Sequence, residues 1–228
     1  MSIKINRISK RYDTGLLALE DINLEISNHE FICILGPSGC GKSTLLNIIA
    51  GLDKPSNGEI IVDGNLICGT SNERTMIFQE PSLFPWLTII ENIKFGLKLK
   101  KLSKFEQDEI AIKFLRLVKL EKFKDYHVYQ LSGGMQQRVS LARALAMESP
   151  YILMDEPFSS LDKQTINLLR GELESLWRRL KNTIIYVTHS VEEAIFFADR
   201  IVMFSANPGR IKRIFDINLP RPRKLDEE

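Results

Sequence analysis

Residues Gly36-Pro37-Ser38-Gly39-Cys40-Gly41-Lys42-Ser43-Thr44 have the types and spacing G-x-x-x-x-G-K-[ST], the pattern of a phosphate-binding loop. The chemistry is the binding of a nucleoside triphosphate. Glycines let backbone N–H groups curl around phosphate oxygens, and a helix N-terminus behind them adds positive potential. Lys42 offers a point charge to the β- and γ-phosphates, and Ser43 a hydroxyl to Mg²⁺. A loop of this kind needs a buried strand before it and a helix after it. Glu30 to Leu35 is a short apolar run that predicts the strand. Lys42 to Ala50 predicts the helix, with Gly51 where a C-terminal glycine belongs.

Other chemistry-bearing residues sit at the ends of predicted strands. Tyr151 to Met154 is an apolar strand that ends in Asp155 and Glu156. Asp155 can hold the metal, directly or through water, and Glu156 can orient or deprotonate an attacking water. Thr183 to Val187 is a strand followed by Thr188 and His189, which places an imidazole donor at a strand's C-terminal edge. Ser190 and Glu193 have capping-box spacing, so a helix is expected right after His189. Gln79 closes the short strand Thr75 to Phe78, at the strand end where α/β folds place ligand contacts. Leu131-Ser132-Gly133-Gly134-Met135 opens a helix that Ser132 can cap. Its two first-turn glycines weaken the helix but allow an anion to approach closely, which makes a second N-terminus suited to phosphate. Tyr12, upstream of the loop, either stacks on a purine or is an exposed tyrosine at a strand end.

The elements that must position these residues read as α/β with an inserted helical segment. Ile3, Ile5 and Ile8 form one apolar set, and Ile22, Leu24 and Ile26 alternate as a half-buried strand does. Glu59 to Val62 is a strand, and Asp63-Gly64 a hairpin turn candidate. Pro81, Pro85 and Trp86 mark an irregular segment whose apolar residues are either core or an exposed docking patch. A helical pattern then runs from about Ile89 to Met147. Ile166, Leu169, Leu173, Leu176 and Leu180 give a long amphipathic helix. Two further strands are expected over Arg200 to Phe204 and Ile211 to Ile217.

Composition narrows the partners. With 44% hydrophobic and 26% charged residues the chain fits a soluble globular protein. A net charge of +2 argues against nucleic-acid binding by bulk electrostatics. No apolar core of a signal peptide follows Met1, and no stretch approaches the roughly 20 apolar residues of a membrane span. The expectation is a cytosolic chain whose membrane role comes through a partner. Cys33, Cys40 and Cys68 are an odd set without metal-ligand spacing, as reduced thiols are. Cys33 is expected in strand core, and Cys40 to be open to oxidation or alkylation in the loop.

These motifs, in this order and over nearly the whole chain, resemble the ATP-binding-cassette (ABC) ATPases. Gly36 to Ser43 resembles the Walker A loop, and Tyr12 the adenine-stacking aromatic. Gln79 is similar to the Q-loop glutamine that senses Mg²⁺ and γ-phosphate. Leu131 to Gln136 resembles the signature, with Ser132, Gly133 and Gly134, its phosphate-contacting part, retained and Met135 where the family norm is glutamine. Tyr151 to Asp155 resembles Walker B with Glu156 as general base, Ser160-Leu161-Asp162 the D-loop, and His189 the switch histidine. The resemblance implies a RecA-like P-loop NTPase core with an N-terminal antiparallel β-subdomain over 1–85 and 148–228. An α-helical signature subdomain would be inserted over 86–147. It also implies ATP and Mg²⁺ as ligands, with Ser43, Gln79 and Asp155 at the metal. Two copies would pack head to tail, the signature of one closing on the nucleotide of the other.

A narrower resemblance rests on Leu83-Phe84-Pro85-Trp86, Met154 to Phe158, Ser205 to Arg210 and Leu219-Pro-Arg-Pro-Arg223. These strings look like the ATPase subunits of nitrate/sulfonate/taurine importers, which work with separate membrane permease and solute-binding proteins. The chain ends near Glu228, which leaves no room for a regulatory domain on this reading. An ATPase of exporter or lipoprotein-release type, or a non-transport member, is the alternative. The expected location is the cytoplasmic face of the membrane.

Overall fold

The structure is a computed structural model and describes residues 2–223; the Met1 start and the end at Glu228 lie outside the described residues. In chain order the elements are β1 (Ser2–Arg11), β2 (Leu17–Ser27), β3 (Phe31–Leu35), α1 (Lys42–Ala50), β4 (Asn57–Val62), β5 (Asn65–Leu66) and β6 (Arg74–Ile77). There follow α2 (Ile89–Leu97), α3 (Lys104–Leu117), α4 (Gly133–Ala146), β7 (Tyr151–Asp155), α5 (Lys163–Leu180), β8 (Thr183–Thr188), α6 (Val191–Phe197), β9 (Arg200–Phe204) and β10 (Ile211–Asp216). The chain divides into a first unit of 1–74, 150–156 and 181–228 and a second of 75–149 and 157–180. The helical insertion expected over 86–147 lies inside the second unit, which also takes in α5.

The first unit holds two sheets. One is antiparallel, in the order β2-β1-β4-β5. Ile3 faces Ile26, Ile5 faces Leu24 and Ile8 faces Ile22, all of them buried. The step from Ile5 to Ile8 breaks the two-residue period because a bulge intervenes. Arg7 takes φ 53° there, and its N–H is accepted by Asn23 Oδ1 at 2.9 Å. Asp63 and Gly64 form the expected two-residue hairpin between β4 and β5, at φ 52° and 82°. Positive φ at both positions is what a type I′ turn demands.

The other sheet of this unit carries the chemistry. Its strands stand in the order β10-β9-β3-β8-β7. β7, β8, β3 and β9 run parallel, and every residue of β7 and β8 is buried. Continuous apolar strands are the signature of a sheet covered on both faces, so their C-terminal ends align on one edge. Phe31 of β3 stacks on Phe197 of α6, 5.0 Å between centroids and 3° between planes.

In the second unit, Thr88 and Ser103 each complete a capping box, with Glu91 and Glu106, at the starts of α2 and α3. The segment 81–87 is irregular yet tied down. Buried Asn92 accepts from Phe84 N–H at 2.9 Å and donates to the Phe84 and Thr88 carbonyls at 3.1 and 3.0 Å. Arg143 donates to the Ser82 carbonyl at 2.9 Å and lies 5.5 Å over the Phe84 ring. Trp86 remains 70% exposed, so of the two readings of this apolar segment the exposed patch holds for Trp86. α5 buries Leu169, Leu173 and Leu176, as its periodicity requires.

Candidate active site

β3 ends at Leu35, and the glycine loop turns the chain into α1. Gly41 caps the helix at φ 92°, in the left-handed region, with no side-chain hydrogen bond. A Cβ on Gly41 would lie 2.7 Å from the Ala18 carbonyl oxygen and from Leu19 Cδ2. One on Gly36 would lie 2.9 Å from Cys40 Sγ. Backbone at both positions is therefore packed where a side chain cannot go, while Gly39 (φ 75°) faces open space. The first-turn N–H groups of a helix have no partner within it, so this terminus is built for an anion. Buried Lys42 lies back across the loop and donates to the Gly36 and Pro37 carbonyls at 2.8 and 2.9 Å.

Cys40 is 1% exposed, with its sulfur 3.9 Å from Lys42 Nζ. The sequence expectation of an accessible loop thiol is corrected here: the turn that opens the loop to anions tucks this side chain inward. Cys33 is fully buried in β3, where burial pushes its thiol pKa up, and Cys68 is exposed.

β7 delivers Asp155 to the edge beside this loop. Asp155 is 7% exposed and bonds to the Ser43 side chain. Burial pushes its carboxyl pKa up, and the Ser43 bond works against that shift. Its Oδ1 is buried with no hydrogen-bond partner. An orphaned buried carboxylate oxygen beside a serine hydroxyl fits a hard cation such as Mg²⁺, which takes oxygen ligands and keeps several waters.

Glu156 follows at φ 44°, held by its N–H to the Val187 carbonyl at 3.0 Å. A non-glycine residue in that region stores strain, which a fixed sheet edge can sustain. His189, one residue beyond β8, places Nδ1 at 3.2 Å from Glu156 Oε2. Tyr12 reaches the same loop: its hydroxyl is 3.2 Å from Thr44 Oγ1, and the residue is 37% exposed. The first unit thus gathers Tyr12, Gly36 to Thr44, Asp155, Glu156 and His189.

The capping box expected after His189 is half present. Ser190 Oγ accepts from Glu193 N–H at 3.3 Å. The Glu193 carboxylate does not return to Ser190. It is buried, accepting from Tyr186 and Thr188 hydroxyls at 2.8 and 2.7 Å, and Thr188 Oγ1 takes the Ser190 N–H at 3.0 Å. Tyr186 and Thr188 lie on one face of β8 by its two-residue period, a signal the capping pattern masks.

The remaining candidates belong to the second unit. Ser132 caps α4, accepting from Met135 N–H at 3.3 Å, and a Cβ on Gly133 would meet only open space. Gln136 folds back to the Val128 and Leu131 carbonyls at 3.2 and 3.3 Å. Gly134 faces Ser160 and Leu161: a Cβ there would sit 3.4 Å from Leu161 Cδ2. Asp162 caps the start of α5, accepting from Thr165 N–H at 2.9 Å and from its hydroxyl at 2.6 Å, and these bonds hold its pKa below the usual carboxylate value. Gln79 lies two residues beyond β6. Asn92, Arg143 and Glu193 escape motif reading because each works through backbone groups or hydroxyls that only the fold brings near.

A family model described as "ABC transporter" matches residues 19–159. The chain is 44% identical to the aliphatic sulfonates import ATP-binding protein SsuB of Bacillus cereus, covering 100% of this chain and 91% of that one. It is 46% identical to the nitrate import ATP-binding protein NrtD of a Synechocystis species, covering 95% and 81%. A solved dimeric ATP-binding cassette in a post-hydrolysis state, bound to ADP and Pi, superposes with a TM-score of 0.87 at 35% identity, covering 95% of this chain and 99% of that one.

Proposed function

The chain belongs to the ABC transporter family, and from that premise we propose that it is the ATP-binding and ATP-hydrolysing subunit of a solute importer of the nitrate/sulfonate/taurine type. The observation that carries the catalytic part is the buried, unpartnered Asp155 Oδ1 beside Ser43, at the mouth of a glycine loop built for phosphate. The importer part is supported by full-length similarity to proteins named for nitrate and sulfonate import.

In this reading the α1 N-terminus and Lys42 bind the β- and γ-phosphates, and the Tyr12 ring takes the adenine face. Ser43 and Asp155 would hold Mg²⁺, which when bound neutralises charge on the β/γ-phosphate oxygens. Glu156 accepts a proton from the attacking water as its oxygen bonds to the γ-phosphorus. The bond from that phosphorus to the bridging oxygen breaks, releasing ADP and Pi. His189 would orient the Glu156 carboxylate by donating its Nδ1–H to it.

Ser132, Gly133 and Gly134, with Met135 and Gln136, would close on the nucleotide of a second copy, the D-loop residues Ser160 and Asp162 lining the same junction. Binding ATP then joins two copies, and hydrolysis loosens them. Among the described residues no helix is long and apolar enough to cross a membrane. Membrane permease subunits would therefore be the partners at the cytoplasmic face, and a solute-binding protein an indirect one. Reconstitution with a permease and solute-binding protein tests the importer role, using nitrate, taurine and alkanesulfonates as probes. One probe should stimulate ATP hydrolysis and enter vesicles; outward movement of solute instead would overturn it.

A further inference from the structure

The string Leu219-Pro220-Arg221-Pro222-Arg223 takes no part in the site above, yet its last side chain is buried. Arg223 Nη1 donates to the carbonyls of Ile195, Phe196 and Ala198 at 2.8, 3.2 and 2.7 Å. Its Nη2 returns to the Ile217 and Leu219 carbonyls at 3.1 and 3.3 Å, which fixes the tail's own path. Arg221 donates to the Phe197 carbonyl and to Asp199 Oδ1, the latter at 2.8 Å. These are the carbonyls at the end of α6, which a helix cannot satisfy by itself. Two guanidinium groups also meet the negative end of its dipole.

α6 has seven residues, about 10 Å of helix at roughly 1.5 Å per residue, too short to persist without tertiary support. Its other end is pinned to β8 by Glu193 and by the Ser190 N–H, and His189 is the residue between the end of β8 and Ser190. Asp199 also accepts from Phe31 N–H at 2.9 Å, so the same clamp reaches the start of the strand that leads into the glycine loop. α6 is thus held at both ends, and the His189 ring lies at hydrogen-bond distance from Glu156.

We propose that Arg221 and Arg223 are positioning residues for hydrolysis: by clamping the C-terminal end of α6 they fix His189 against Glu156. This rests on the role given to His189 above. Misplacement of a catalytic group by about 1 Å can cost up to roughly 100-fold in rate, so the effect belongs to kcat and not to ATP affinity.

The test uses Arg223→Lys, which keeps the charge but loses the fork of donors. Its kcat should fall about 10-fold with KM for ATP within about twofold. The chain has three histidines, so imidazole NMR resonances can be followed individually. Those of His189 should move, while those of His29 and His127 hold. Arg223→Lys added to His189→Ala should be no slower than His189→Ala alone. Unmoved His189 resonances, or losses that add, would overturn the clamp. If Arg223→Lys does not fold, Arg221→Gln decides by the same readouts. Wild-type turnover in His189→Ala would instead sink the role of His189, a failure separate from an unmoved resonance.

Discussion

Glu156 and His189, 33 residues apart in sequence, meet as carboxylate and imidazole 3.2 Å apart at the edge of one sheet. They do so because β7 and β8 are parallel neighbours in register, Asp155 opposite Val187, so the residues after each strand emerge side by side. The proposed base and its orienter thereby leave the ends of two fully buried strands.

Asp155 should trade stability for function. Its folded-state pKa is raised, burial being the main cause, so its ionised form disfavours the nucleotide-free fold. Asp155→Asn should raise the melting temperature without ligand by about 2–4 °C at pH 8, for about 1 kcal/mol of relieved cost. A raised pKa gives stability that is present at low pH and lost as pH rises through the folded value. The gain in the variant should therefore shrink as pH is lowered into the ordinary carboxylate range. Scanning calorimetry at pH 4 to 8 checks this, and the variant's ATPase rate should fall at every pH.

Thiol accessibility should separate the cysteines. Cys68 is exposed, while Cys33 and Cys40 are buried. An aromatic disulfide reagent should titrate about one thiol per native chain within minutes, and the other two only after denaturation. Rapid labelling of Cys40 would mean that the loop opens far more than its packing against Gly36 and Lys42 implies.

Much of this was legible in the residues, and the reasons are local. The loop, its strand and its helix are one contiguous segment whose glycine spacing encodes positive φ and close packing directly. Ser132 capping α4 and the Asp63-Gly64 hairpin also depend only on near neighbours. The Ile5 to Ile8 bulge was not legible, since it depends on Asn23 across the strand pair. Nor was the destination of Glu193, because two hydroxyls on β8 outbid the backbone N–H that the capping pattern expects. Cys40, its sulfur 3.9 Å from Lys42 Nζ, is buried for the same kind of reason: its burial is a product of the turn and not of its neighbours' polarity.

Tyr12 should contribute to binding more than to chemistry. Aromatic stacking on a base is worth roughly 1–3 kcal/mol, so Tyr12→Ala should raise KM for ATP about 10-fold or more with kcat within about twofold. Tyr12→Phe keeps the ring and loses only the contact with Thr44 Oγ1, so it should stay close to wild type. Steady-state kinetics with ATP distinguish the two. Equal loss in both variants would point to the hydroxyl in place of the ring.

Ser132→Arg should abolish turnover and leave ATP binding by the isolated monomer intact, as the proposed action of the signature on a second copy's nucleotide requires. Ser132 is exposed, so the longer side chain has room, and the lost cap on α4 costs only about 1 kcal/mol. Fluorescent nucleotide titration of monomers checks the binding half. Weakened monomer binding would place the signature on its own copy's nucleotide.

In the proposed mechanism Glu156 takes the proton of the attacking water in a nucleotide site shared by two copies. Glu156→Gln keeps shape and the contact with His189 while removing the base. Single-turnover hydrolysis of radiolabelled ATP, run beside size exclusion of the same sample, tests it most directly. The variant should bind ATP, hydrolyse it at least about 100-fold more slowly than wild type, and elute as a dimer held together by ATP. Wild-type hydrolysis by a variant that elutes as a monomer would contradict it.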